Sequence, residues 1–144
     1  MERRKTHNKG RTKSMIEIKT NELCHFVIRL APISKKNHSQ IIKNTKTGKL
    51  MVIPSKQYKE YEHESAWFMP HIKTIDRPVN IRAVFYMPTH RRVDLTNLLE
   101  ALNDILVKYG VLEDDNFNIV ASLDGCRVDY DKENPRTEVW IYEY

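Results

Sequence analysis

Leu95, Leu98, Leu99, Leu102, Ile105, Leu106 and Tyr109 recur at helical spacing, so this chain contains one strongly amphipathic helix whose apolar stripe must be buried. Asp94 stands at its N-cap, and Gly110 falls where a left-handed C′ residue belongs, which bounds the helix at both ends. On either side of it the apolar period switches to two. Val79, Ile81, Ala83 and Phe85 share one face of a strand ending at Met87-Pro88, and Phe26, Ile28 and Leu30 share one face of a strand over 24–30. Strands flanking a central helix predict an α+β fold, a single-domain mixed β-sheet with two main helices packed on it.

The second helix follows Ser55, an N-cap residue, carries Tyr58, Tyr61, Ala66 and Phe68, and stops before Pro70. Residues 15–18 and 50–53 read as short strands. The polar, lysine-rich stretch from Pro32 to Gly48 reads as an exposed loop ending in an Asn-Thr-Lys-Thr-Gly-Lys turn. Asp124-Gly125 between residues 118–123 and 126–130 predicts a hairpin, and residues 137–142 close the sheet after the Asn134-Pro135 turn.

The net charge of +5 is unevenly placed: residues 1–14 hold six basic groups against Glu2, whereas the other 130 residues balance 18 basic against 18 acidic groups. The excess belongs to an arm poor in apolar residues, expected to be disordered and to favour polyanions by counterion release. No apolar run reaches the ~20 residues of a bilayer span, and the start is too charged for a secretory signal. Cys24 and Cys126 form no CxxC pair and read as reduced thiols of a cytoplasmic protein.

Chemistry is carried by acids. The polar side of the central helix presents Asn97, Glu100 and Asp104, with Asp94 at its N-terminal edge and Glu113-Asp114-Asp115 just past its end. Taken singly, each is an ordinary cap, surface acid or turn residue. Together they are a candidate site for a hard divalent cation, because crowded carboxylates resist joint ionisation unless a cation sits among them. No GxxxxGK[ST] loop, HExxH or paired-cysteine zinc pattern competes, and the six histidines are scattered. Arg91 and Arg92 directly precede the acids, and Lys35, Lys36 and Asn37 lie in the loop after Pro32. With the arm, they suit phosphate contacts that position a nucleic acid without reading its sequence.

The run Arg91-Arg92-Val93-Asp94-Leu95-Thr96-Asn97-Leu98, with Asp104, Gly110 and Asp114-Asp115 beyond it, resembles the RusA-like Holliday-junction resolvases, mostly phage or prophage proteins. Pro32, Ser34 and Asn37 and the last strand look similar too, which makes 15–144 a resolvase-like domain behind the 1–14 arm. The resemblance implies a homodimeric endodeoxyribonuclease that nicks four-way DNA junctions at two symmetry-related positions, using Mg²⁺ or Mn²⁺. By motif position Asp94 and Asp115 match the essential metal-binding aspartates, and Asp104 and Asn97 match other recurrent positions.

Two positions depart from that pattern. A second aspartate usual two residues after the first is Thr96 here, and a lysine often found four residues further on is Glu100. The expectation is that Glu100 or Asp104 takes the missing ligand's place, giving a metal set of Asp94, Asp104 and Asp115. The competing readings are a junction-binding protein with little or no nuclease activity, a nuclease for another branched or single-stranded substrate, and a plain structural module.

Overall fold

The computed structural model describes residues 21–35 and 39–144. The arm over 1–14, the strand expected over 15–18, and Lys36 and Asn37 lie outside the described residues. The elements run β1 (Glu22–Ile28), β2 (Ser39–Lys43), β3 (Leu50–Pro54), α1 (Lys56–Ser65), β4 (Val79–Met87), α2 (Leu95–Lys108), β5 (Val120–Ser122), β6 (Arg127–Tyr130) and β7 (Arg136–Glu143). This is the expected mixed sheet with two main helices. Among the described residues, no helix is long and apolar enough to cross a membrane.

β7 lies between β1 and β4 and pairs antiparallel with both. One face of this sheet carries Ile28, Ile81, Ala83, Val139 and Ile141, none of which retains exposed surface. The stripe of α2 joins the same buried cluster through Leu98, Leu102, Ile105 and Leu106, and α1 adds Tyr58 and Tyr61. Each such aliphatic side chain contributes on the order of 1.5–3 kcal/mol by leaving water, so the helix that carries the acids is firmly seated.

The helix ends follow the local chemistry. Ser55 caps α1 by accepting from the Tyr58 backbone N–H at 3.1 Å, and a single 3₁₀ turn over Ala66–Phe68 ends it ahead of Pro70. Gly110 adopts φ +73, a left-handed conformation that reverses the chain after α2.

Two expectations are corrected. The stretch after Pro32 is not simply an exposed loop: Ser34 is buried, and β2 and β3 form an antiparallel ribbon in which Ile41 faces Val52 and Ile42 faces Met51. β3 is the short strand expected over 50–53, whereas β2, with only Ile41 and Ile42 apolar, gives no alternating pattern in the sequence. Its turn is where expected, with the Gly48 N–H donating to the Asn44 carbonyl at 2.8 Å.

The Asp124-Gly125 turn, in turn, makes no hairpin. β5 lies beside Val79 and Asn80, β6 beside Val84–Met87, and both run parallel to β4. They are two lengths of one edge, interrupted where the turn bulges away. Side chains close the gap: Cys126 Sγ accepts from the Ala83 N–H at 3.3 Å and donates to the Ile81 carbonyl at 3.2 Å. Asn80 Oδ1 accepts from the Asp124 N–H at 2.9 Å. A local turn signal cannot reveal that β4 offers both segments a parallel edge. The thiol therefore does the work of a strand residue, and its burial pushes its pKa up, away from reactivity. Cys126→Ala leaves two backbone groups of β4 unpaired and is expected to cost about 1 kcal/mol in urea unfolding, with Cys126→Ser recovering part of it.

Candidate active site

Asp94 occupies the N-cap of α2 with an extended backbone (φ −94, ψ 124), yet its carboxylate makes no capping bond. The Asn97 and Leu98 N–H groups donate to its backbone carbonyl instead, at 3.1 and 3.2 Å. Asp94 Oδ2 accepts from Asn97 Nδ2 at 3.3 Å. The carboxylate is thus released from the helix backbone, exposed at the head of α2, with Asn97 orienting it.

Ten residues on, Asp104 sits half-buried on the polar side of α2. Its Oδ2 accepts from Lys35 Nζ at 2.8 Å, and the same ammonium lies 5.6 Å from the centre of the buried Tyr58 ring. Burial, Glu62 and then Asp104 raise the Tyr58 hydroxyl far above its usual range, which keeps it neutral. Lys35, expected in an exposed loop, lies against the acidic helix while its side chain stays part-exposed. Sequence spacing could not indicate this, since 69 residues separate the partners.

After Gly110 the chain is pinned back against the body. Val111 and Leu112 are buried, the Ile75 N–H donates to the Val111 carbonyl at 2.9 Å, and the Glu113 N–H donates to the Ile75 carbonyl at 2.9 Å. This two-sided anchor delivers the Glu113-Asp114-Asp115 loop, and the loop divides its acids by role. Asp114 accepts from the Asp115 N–H at 2.7 Å and from Asn116 Nδ2 at 3.1 Å, and these bonds hold its carboxyl below the usual range. Asp115 goes the other way: partial burial, then Asp114, then Asp104 push its carboxyl up. Asp104 thus contributes to the upward push on Asp115, and Asp104 itself is paired with Lys35. Glu100 and Thr96 lie exposed on α2.

The expected three-acid metal set is revised by this geometry. Ten helical residues separate Asp94 from Asp104 by roughly 15 Å along the axis, too far for both to ligate one ion. Among the described residues, no three histidine, cysteine or acidic side chains are grouped so as to hold a metal ion. A cation here would rest on one or two carboxylates and leave its other positions to water and substrate, the habit of Mg²⁺. Exposed carboxylate oxygens, one of them under like-charge pressure, fit such an ion.

Arg91 and Arg92 project from the loop between β4 and α2, and both are exposed. They border two clefts, one of about 370 Å³ that also touches Ile33 and Gln57, and one of about 440 Å³ against the end of β6. The basic approach predicted beside Asp94 is therefore present as open, concave surface.

No curated protein gives a significant match to this chain. The family model described as endodeoxyribonuclease RusA matches residues 30–142. That span is most of the chain and takes in α1, α2, the pinned acidic loop and both arginines, so the chain belongs to the RusA endodeoxyribonuclease family.

Proposed function

We propose that the protein is a divalent-metal-dependent endodeoxyribonuclease that resolves four-way DNA junctions by paired symmetric nicks, in DNA recombination and repair. The observation that carries the reading is the family match over residues 30–142, a span that takes in Asp94 at the head of α2, the Asp114-Asp115 loop and the exposed Arg91-Arg92 approach. By family position Asp94, at the head of α2, and Asp115, on the loop beyond it, are the proposed carboxylates for Mg²⁺ or Mn²⁺, each leaving an ion's remaining positions to water and substrate phosphate. A cation bound there supplies Lewis-acid polarisation of the phosphoryl oxygens and a water of lowered pKa. Asp104 presses on Asp115 and keeps Lys35 close by, Asn97 fixes the Asp94 carboxylate, and Glu100 adds negative charge to the same helix. Arg91, Arg92, Lys35, Lys36 and Asn37 hold the DNA backbone.

The test is cleavage of a synthetic four-way junction, with and without Mg²⁺, beside a linear duplex of the same length. Paired nicks in the junction that require the metal are expected. Tight junction binding without cleavage in any divalent metal would instead support the junction-binding reading, which the loss of a carboxylate at Thr96 favours. Failure to bind any DNA at low salt would end both, since phosphate contacts are strongest there.

Paired nicks call for two active sites related by a twofold axis. The β2–β3 ribbon supports a homodimer: Ile41 and Val52 are each 70% exposed and Leu50 74% exposed, on a two-stranded unit that is marginally stable alone. Ile41→Asp combined with Val52→Asp is expected to shift the protein from dimer to monomer in sedimentation equilibrium. An unchanged mass would show that the ribbon takes no part in dimerisation.

A further inference from the structure

We propose that His90 and Tyr130 form a shelf on which an unstacked base of the branched DNA lies. This inference rests on the nuclease reading above and names how its substrate is gripped. The parallel pairing of β4 and β6 sets Met87 opposite Tyr130, so both strands end at the same edge of the sheet. Three residues past Met87, the His90 ring folds over Tyr130, with centroids 3.8 Å apart and planes inclined by 24°. The pair is not buried: His90 is exposed and Tyr130 retains 42% of its surface.

The edge beneath it is held firmly. The Asp131 N–H donates to the Met87 carbonyl at 3.0 Å, and Arg136 binds Asp131 at 2.9 Å and Glu138 at 2.8 Å while lying over the Tyr86 ring. A shelf that does not have to be ordered on binding loses less entropy when a ligand settles on it.

The cleft beside the stack, about 440 Å³, combines apolar Met87, Val93 and Val128 with Arg91 and Arg92. Its one acid, Asp129, lies 3.9 Å from Arg127, which offsets its charge. Flat π surface, apolar walls and guanidinium groups match the two halves of a nucleotide, a base face and a phosphate. A continuous duplex hides its base faces within the stack, whereas a branch point exposes them. Stacking on aromatic side chains is indifferent to base identity, so such a shelf recognises the branch and not the sequence. His90 precedes Asp94 by four residues, and the cleft beside the stack reaches Val93, next to the head of α2.

The experiment measures junction affinity in EDTA, by fluorescence anisotropy, for wild type, His90→Ala, Tyr130→Ala and Tyr130→Phe. The DNAs are an intact four-way junction, the same junction with an abasic site at each branch-flanking nucleotide in turn, and a linear duplex. Tyr130→Ala and His90→Ala are each expected to weaken junction binding about tenfold, with duplex binding unchanged and Tyr130→Phe equal to wild type. At one abasic position wild type loses the same factor, and Tyr130→Ala loses nothing further there. Equal losses on junction and duplex, no loss at all, or fully additive losses at every abasic position would each overturn the shelf. Wild-type protein that binds no junction overturns the functional reading itself, a result no Tyr130 variant can mimic.

Discussion

Asp115→Asn lowers the single-turnover rate of junction cleavage by about a thousandfold or more, and leaves junction affinity unchanged or raised. The size follows from losing a charged ligand: the metal supplies several kcal/mol of transition-state stabilisation, and each 1.36 kcal/mol is a factor of ten. Affinity does not fall, because an uncharged amide repels DNA phosphate less than a carboxylate does. Cleavage and gel-shift measurements on one preparation separate the two effects. A variant that loses binding along with cleavage would remove Asp115 from the proposed role.

The same substitution has a signature in stability. Burial, Asp114 and Asp104 raise the Asp115 carboxyl in the folded chain, so the folded state holds that proton more tightly than the unfolded state. Its contribution favours folding fully at pH below the ordinary carboxylate range and is lost as pH climbs through the raised value. At pH 7 the ionised group is a strain on the fold. Asp115→Asn is therefore expected to melt above wild type at pH 7 in EDTA, with the gap closing as the pH is lowered into the carboxylate range. Mg²⁺ should raise the melting temperature of wild type more than that of the variant.

Lys35→Met is expected to act in two opposite directions. The lysine is the cation that meets Asp104, and through it the acid group that includes Asp115. Removing it leaves these carboxylates with less compensation, so Mn²⁺ titrated calorimetrically should bind about tenfold more tightly, a screened value for a half-exposed pair. Cleavage at saturating metal should nevertheless fall, since the ammonium is lost as a contact for DNA phosphate. The metal-free variant should also melt lower than wild type, because Asp104 is left without its partner. Unchanged Mn²⁺ affinity would mean that Lys35 and the cation do not compete, and would leave the ion pair as a structural tie between the β1–β2 segment and α2.

Much of this was legible in the residues because it depends on local periodicity. The apolar stripe of α2 could be buried on only one side, and with Gly110 able to turn the chain back, Leu95 to Tyr109 had to be a helix ending where it does. The strand at Val79–Met87 was equally local, and the family motif rode on these two elements. Of the ribbon at 39–54, the strand at Leu50–Pro54 was legible as a short apolar run, but its partner at Ser39–Lys43 was not, because two adjacent isoleucines among polar residues show no alternation. The edge formed by β5 and β6 was hidden because a turn residue pair carries no record of which strand its neighbours will meet.

The acids show the same division. Sequence by itself determined which carboxylates exist, that Asp94 heads the helix, and that Asn97, Glu100 and Asp104 share its polar side, because 100° per residue is a property of the backbone alone. Only the tertiary structure decided that Asp104 holds Lys35, that Asp114 is spent on its own turn while Asp115 is left under pressure, and that His90 meets Tyr130. The bonds that occupy Asp114 are local, but the Lys35–Asp104 and His90–Tyr130 contacts join residues tens of positions apart, created when the fold and the parallel edge of β4 close, and no local rule encodes such closures.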